Sequence, residues 1–144
     1  MGPVAVGSDH AGYELKEIVK QELSAAGIEV RDFGTSGSES VDYPDYGLEV
    51  AGAVDRGEYE RAVLVCGTGL GMSMVANRKP GVRAALCNDL FSAIMSRRHN
   101  DANILVMGGR VIGTELARQI LKTWLETRFE GGRHQARLEK FSDL

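Results

Sequence analysis

Arg61-Ala62-Val63-Leu64-Val65-Cys66-Gly67-Thr68-Gly69-Leu70-Gly71-Met72-Ser73-Met74-Val75-Ala76 is the stretch that decides the fold. Ala62 to Val65 is an unbroken apolar run, the pattern of a strand buried on both faces. It ends on a cysteine and passes at once into a turn with three glycines. Leu70, Met72, Met74 and Val75 then open a helix. A strand–turn–helix junction of this kind leaves backbone N–H groups free at a helix N-terminus, a place to hold an anion. The same field can partly ionise a thiol at its edge. The alternative is a tight α/β turn with Cys66 as buried filler, since free cysteine is often simply core.

Working outward, the same alternation repeats along the chain. Val4 to Gly7 reads as a strand, and Tyr13 to Ala26 as a helix with Leu15, Ile18, Val19 and Leu23 at helical spacing, stopped by Gly27. Ile28 to Phe33 alternates like a second strand, and Gly34 to Ser40 is a polar loop. Pro44 to Val54 predicts a helix, with Tyr43-Pro44 as its start. The helix after the glycine turn should run to about Arg78 and break at Pro80-Gly81. Val82 to Cys87 reads as a strand, Asp89 to Arg98 as a helix capped by Asn88 or Asp89, Ile104 to Met107 as a strand, and Gly113 to Thr127 as a long helix. A basic tail begins at Gly131-Gly132. Five strands alternating with helices predict an α/β fold with a parallel sheet covered on both faces. At 144 residues, without repeats or a low-complexity block, residues 1–144 suit one domain.

Composition excludes several classes. A net charge of −3 offers no general attraction for nucleic acid, so any anion site must be a local cluster. No apolar stretch nears the ~20 residues that span a bilayer. Two cysteines, Cys66 and Cys87, without a secretory h-region, point to a reduced, cytoplasmic protein. The two lie far apart with no partner pair, and no His/Cys/Asp/Glu run has metal-ligand spacing, so no metal is expected.

Ligands in open α/β sheets bind beyond the C-terminal strand ends. Ser8-Asp9-His10-Ala11-Gly12 follows the first strand, Cys66 to Gly71 the third and Gly108-Gly109-Arg110 the fifth. Asp9 suits a helix cap as well as a ligand contact. Cys87 has neither glycine turn nor basic neighbour and reads as core. His99-Asn100, in Arg97-Arg98-His99-Asn100-Asp101, precedes a strand and so lies at the opposite end of the sheet, where it could simply close a helix. Arg133 and Arg137 share a helical face, which costs a few tenths of a kcal/mol unless something neutralises it. That is either a bound phosphate, whose oxygens match the guanidinium fork, or an acid such as Glu130 or Glu139. The GTGLGM string is not a dinucleotide fingerprint: the spacing is G-x-G-x-G, and it follows the third strand. A flavodoxin-like phosphate-binding module without catalysis is the rival from another class, but it leaves Cys66, His99 and Arg133 without a task.

Ser8-Asp9-His10-Ala11-Gly12, Asp42-Tyr43-Pro44-Asp45, Cys66 to Ser73, Ala76-Asn77-Arg78, Arg97 to Asn103 and Gly131-Gly132-Arg133-His134 together resemble the type B ribose-5-phosphate isomerases of the ribose/galactose isomerase family, in register along essentially the whole chain. Cys66 places the chain with the cysteine-base branch, since Gly71 to Ser73 offers no acid. The resemblance implies a Rossmann-like, three-layer α/β/α sandwich with a five-stranded parallel sheet. It also implies a homodimer or dimer of dimers with shared active sites, a sugar-phosphate substrate and no cofactor. The implied reaction interconverts D-ribose 5-phosphate and D-ribulose 5-phosphate through a cis-enediolate, in the pentose phosphate pathway. Allose 6-phosphate and galactose 6-phosphate are the alternative substrates. The implied roles are Cys66 as base, His99 as ring-opening acid with Thr68 beside it, and Gly67, Thr68, Gly69, Leu70 and Gly71 around the enediolate. Asp9 would hold sugar hydroxyls, Asn100 would contact the sugar or the enediolate, and His10, Arg110, Arg133 and Arg137 would bind the phosphate.

Overall fold

The computed structural model describes residues 1–142 and 144. Five parallel strands form one sheet: β1 Val4–Ser8, β2 Val30–Asp32, β3 Arg61–Cys66, β4 Ala84–Leu86 and β5 Ile104–Gly108. Their order is β2-β1-β3-β5-β4. The three central strands are buried along nearly their whole length, and their residues are apolar without alternation, as strands covered on both faces require.

Helices cover both faces. On one side α1 (Tyr13–Ala25), α4 (Leu90–Arg98) and α5 (Thr114–Glu126) bury Leu15, Val19, Leu23, Ala93, Ile120, Leu121 and Trp124 against Val4, Val6, Val63, Val65, Leu105 and Met107. On the other, α2 (Tyr43–Asp55) and α3 (Leu70–Ala76) bury Val50, Val54, Met72 and Ala76 against Ala5, Leu64, Cys66, Ile104 and Val106. Side chains alternate along each strand, so every central strand supplies both layers. The α/β/α sandwich follows directly. Among the described residues no helix is long and apolar enough to cross a membrane.

Three boundaries differ from the sequence expectation. β2 and β4 have three residues each, not the six of Ile28–Phe33 and Val82–Cys87. Both are edge strands, paired on one side only, so their ends lack the second neighbour that would extend the ladder. α3 stops at Ala76, ahead of Arg78, where the Asn77 side chain bonds Ser73 O and bridges to β4 through Ala84. The basic tail contains a separate helix, α6 (Arg133–Glu139). Asp89 caps α4 as expected, its carboxylate accepting from Ser92 N at 2.7 Å.

The strand order reverses direction between β1 and β3, and the crevice beyond their C-terminal ends is where such sheets bind ligands. The N-terminal end has its own construction. The Arg97 guanidinium, buried beside the Trp124 ring at 5.7 Å, donates to Ala102 O at 2.6 Å and Thr127 O at 3.3 Å. It thereby ties the turn after α4 to the segment after α5.

Candidate active site

Cys66 ends β3 and is 4% exposed. The chain then turns back so that Gly69 N–H donates to Cys66 Sγ at 3.2 Å. Gly69 has φ +84°, and a Cβ there would come within 2.3 Å of Leu86 Cδ1 and 3.2 Å of the Met107 carbonyl carbon. Only glycine makes this turn at this distance from β4 and β5. Leu70 N–H donates to Thr68 Oγ1 at 3.2 Å, fixing the hydroxyl at the rim. Gly71 lies under the Tyr43 ring, which a Cβ would meet at 2.6 Å.

The neighbouring strand ends are stitched to this turn by backbone hydrogen bonds. Gly109 N donates to Cys66 O at 2.8 Å, and Arg110 N to Gly67 O at 2.9 Å. Arg110 Nη1 therefore lies near the turn, 3.7 Å from where a Gly67 Cβ would be. Asp9 N donates to Val65 O at 3.4 Å, and Asp9 Oδ1 accepts from Gly12 N at 3.0 Å just ahead of α1. The carboxylate thus does serve the start of the helix, and its second oxygen stays available. His10 Nδ1 accepts from Val41 N at 3.1 Å, which puts the ring proton of the neutral form on Nε2. The structure therefore brings together Asp9, His10, Cys66, Gly67, Thr68, Gly69, Leu70, Gly71 and Arg110.

Cys87 stands in contrast. It is buried, and burial pushes its thiol up to about 11, against a smaller opposing pull from the Ser96 hydroxyl. That thiol stays protonated and serves as core, as its sequence context predicted.

The remaining candidates lie at the other end of the sheet. His99 closes α4, and its ring stacks on that of His134 with centroids 4.1 Å apart and planes at 12°. Glu130 Oε1 stands 3.4 Å from His134 Nε2 and 4.0 Å from His99 Nε2. Burial holds His134 below the ordinary histidine range, with facing His99 and Arg133 acting the same way. Asn100 is exposed, its carbonyl accepting from Arg83 Nε at 3.2 Å. Arg133 and Arg137 are exposed and share α6, the helix on which their spacing places them on one face. The two acids named as possible neutralising partners are engaged elsewhere: Glu130 with the histidines, Glu139 with Gln135 at 3.2 Å.

Where the sequence offered no run with metal-ligand spacing, the fold brings His99, Glu130 and His134 together, with ligand atoms all within 4.8 Å of one another. Sequence reading missed it because His99 is far from the others along the chain. The i,i+4 spacing of Glu130 and His134 was the available signal.

Residues 4–141 match the ribose/galactose isomerase family. The chain is 48% identical to ribose-5-phosphate isomerase B of Escherichia coli, covering 100% of this chain and 97% of that one. It is 41% identical to D-erythrulose-4-phosphate isomerase of Pectobacterium atrosepticum, covering 95% and 91%. The solved structure of Clostridium thermocellum ribose-5-phosphate isomerase B superposes with a TM-score of 0.96 at 54% identity, covering 98% of this chain and 95% of that one.

Proposed function

The chain belongs to the ribose/galactose isomerase family, and from that premise we propose that it interconverts D-ribose 5-phosphate and D-ribulose 5-phosphate, with Cys66 as the base. The carrying observation is the sulfur at the β1/β3 crevice, facing an N–H of a turn whose glycines let a substrate approach the backbone. In this reading His99, with Thr68 beside it, protonates the ring oxygen as the bond from C1 to that oxygen breaks and the C1 hydroxyl gives its proton to solvent, which opens the furanose to the aldehyde. The Cys66 thiolate then takes the C2 proton. The bond pair becomes the C1–C2 double bond, and the carbonyl oxygen at C1 becomes an enediolate oxygen. The hydroxyl proton at O2 passes to O1, and the thiol returns its proton to C1, leaving the carbonyl at C2. Nothing is oxidised overall, so no redox cofactor is needed.

The turn residues Gly67 to Gly71 supply N–H donors for the developing oxyanion, where one oriented donor is worth about 2.7–4 kcal/mol. Asp9 and Asn100 hold sugar hydroxyls. His10, Arg110, Arg133 and Arg137 hold the phosphate, whose binding energy orients the reacting end. Since Cys66 and His99 lie at opposite ends of the sheet, the site is completed by His99, Asn100 and the arginines of a second copy related by a two-fold axis. The assembly is a homodimer or dimer of dimers of one-domain chains. Two unpaired, buried cysteines suit a reducing, cytoplasmic setting.

The Escherichia coli and Pectobacterium relatives act on sugars of different length, so the test is a ranking. A coupled assay on ribose 5-phosphate, erythrulose 4-phosphate, allose 6-phosphate and galactose 6-phosphate is expected to give the highest kcat/KM on ribose 5-phosphate, and activity is expected to survive exhaustive chelation. A higher value on any other sugar reassigns the substrate.

A further inference from the structure

The group formed by His99, Glu130 and His134 has the chemistry of a metal site. Two imidazoles and one carboxylate are the donor set of open zinc centres, which keep a fourth position for water or an exogenous atom. Two metal–ligand arms of ~2.0–2.2 Å at a tetrahedral angle span ~3.3–3.6 Å. The Glu130–His134 edge, at 3.4 Å, already has that length, and the Glu130–His99 edge, at 4.0 Å, is slightly open.

One of the three donors is held by burial, and a second has its backbone anchored. Glu130 N donates to Arg98 O at 3.0 Å, and His134 is buried on α6. The His99 and Glu130 side chains, 40% and 49% exposed, are the mobile donors. The His99 ring now stacks parallel to that of His134, so the two in-plane lone pairs run side by side instead of converging. A shared metal turns His99 out of that stack. Arg133 flanks His134 and opposes any cation, which selects for ions that bond imidazole strongly over Mg2+ and Ca2+, whose preference is for oxygen.

We propose that His99, Glu130 and His134 bind a borderline divalent transition metal such as Zn2+, and that occupation stops isomerisation by capturing the His99 imidazole. The inhibitory half rests on the ring-opening role proposed above for His99; the site itself does not.

Co2+ titration of metal-free protein reads the site directly. We expect a visible d–d band that persists in Cys66→Ser and needs at least about tenfold more Co2+ in Glu130→Gln and in His134→Ala. Saturating Zn2+ is expected to cut turnover at least about tenfold, with a chelator restoring it. Glu130→Gln is expected to keep its metal-free turnover and to need more Zn2+ for the same inhibition. The absence of a cobalt band, or its loss in Cys66→Ser, overturns the site. A full band with unchanged turnover overturns the inhibition. A metal-free wild type that does not isomerise ribose 5-phosphate sinks the functional reading instead, and the cobalt band still decides the site.

Discussion

The two ends of the sheet are made by different means. At the C-terminal end the backbone does the placing: Gly109 to Cys66, Arg110 to Gly67 and Asp9 to Val65 are main-chain bonds, and the turn donates its own N–H to Sγ. At the N-terminal end side chains do it: Arg97 gathers Ala102 and Thr127 around Trp124, and His99, Glu130 and His134 assemble on top. Backbone placement follows from strand ends and glycines, and so tolerates little change. Side-chain placement draws on residues distant in sequence and leaves exposed groups, Asn100, Arg133 and Arg137, facing outward. In the proposed reading, a base at one end and an acid at the other give one chain two halves of different sites.

The sharpest way to break this comparison is to remove the sulfur. Cys66→Ala is expected to fold and lose about 100- to 10,000-fold in turnover, the range for a lost general base, while Cys87→Ala stays active. Steady-state kinetics on both variants decide it, and retention of more than about a tenth of wild-type turnover in Cys66→Ala would move the base elsewhere. Next come the outward arginines. Arg133→Ala and Arg137→Ala are each expected to weaken inhibition by inorganic phosphate by about 1.5–3 kcal/mol, the worth of a hydrogen bond to a charged group. Unchanged inhibition constants in both would return α6 to a plain solvated face.

One side-chain device at the C-terminal end runs against the contrast. Lys16, almost wholly buried, donates to Asp32 at 2.8 and 2.9 Å and to Thr35 O at 2.6 Å, so the loop after β2 hangs on a charge pair. Burial pulls the Asp32 carboxyl up, but Lys16, Lys20 and Gly34 N–H together bring it below its ordinary 3.8. A depressed carboxyl stabilises the fold above the unfolded value, and the contribution disappears as pH falls through the folded one. Asp32→Asn is therefore expected to lower stability by roughly 1–3 kcal/mol at neutral pH. Denaturant melts should show the deficit shrinking from about pH 4 downward; a deficit independent of pH would mean packing, not charge. The smallest effect is the most diagnostic of shared sites. Cys66→Ala and His99→Ala, unfolded and refolded together, are expected to recover about a quarter of wild-type sites, because half of the random dimers hold one intact site of two. Co-purifying mixed dimers without activity would refute the sharing.

Much of this was legible beforehand, and unevenly. The run from Arg61 to Ala76 announced β3, the turn and α3, because burial on both faces leaves an apolar signature and the turn leaves glycines. Asp89 as a cap and Cys87 as core were equally readable from neighbours. β2 and β4 were drawn too long because their patterns extend beyond what a single pairing partner can hold. The Arg97–Trp124 tie was invisible and the His99–Glu130–His134 group left only the Glu130/His134 spacing as a sign, since contacts between segments so distant in sequence depend on how α5 carries the chain across the sheet. Lys16 gave no sign of burial, its partner Asp32 lying on another element.

Leu86 carries a consequence for the thiol. Its Cδ1 fills the space that a Gly69 Cβ would take, so the turn leans on a three-residue edge strand. Edge strands held on one side open locally at lower free energy than the sheet interior. Each such breathing event withdraws the wall behind Gly69 and frees its N–H from Sγ. Hydrogen exchange at the Gly69 amide, and the alkylation rate of Cys66, should then keep time with the fraying of β4, a strand that contributes no atom to the reaction.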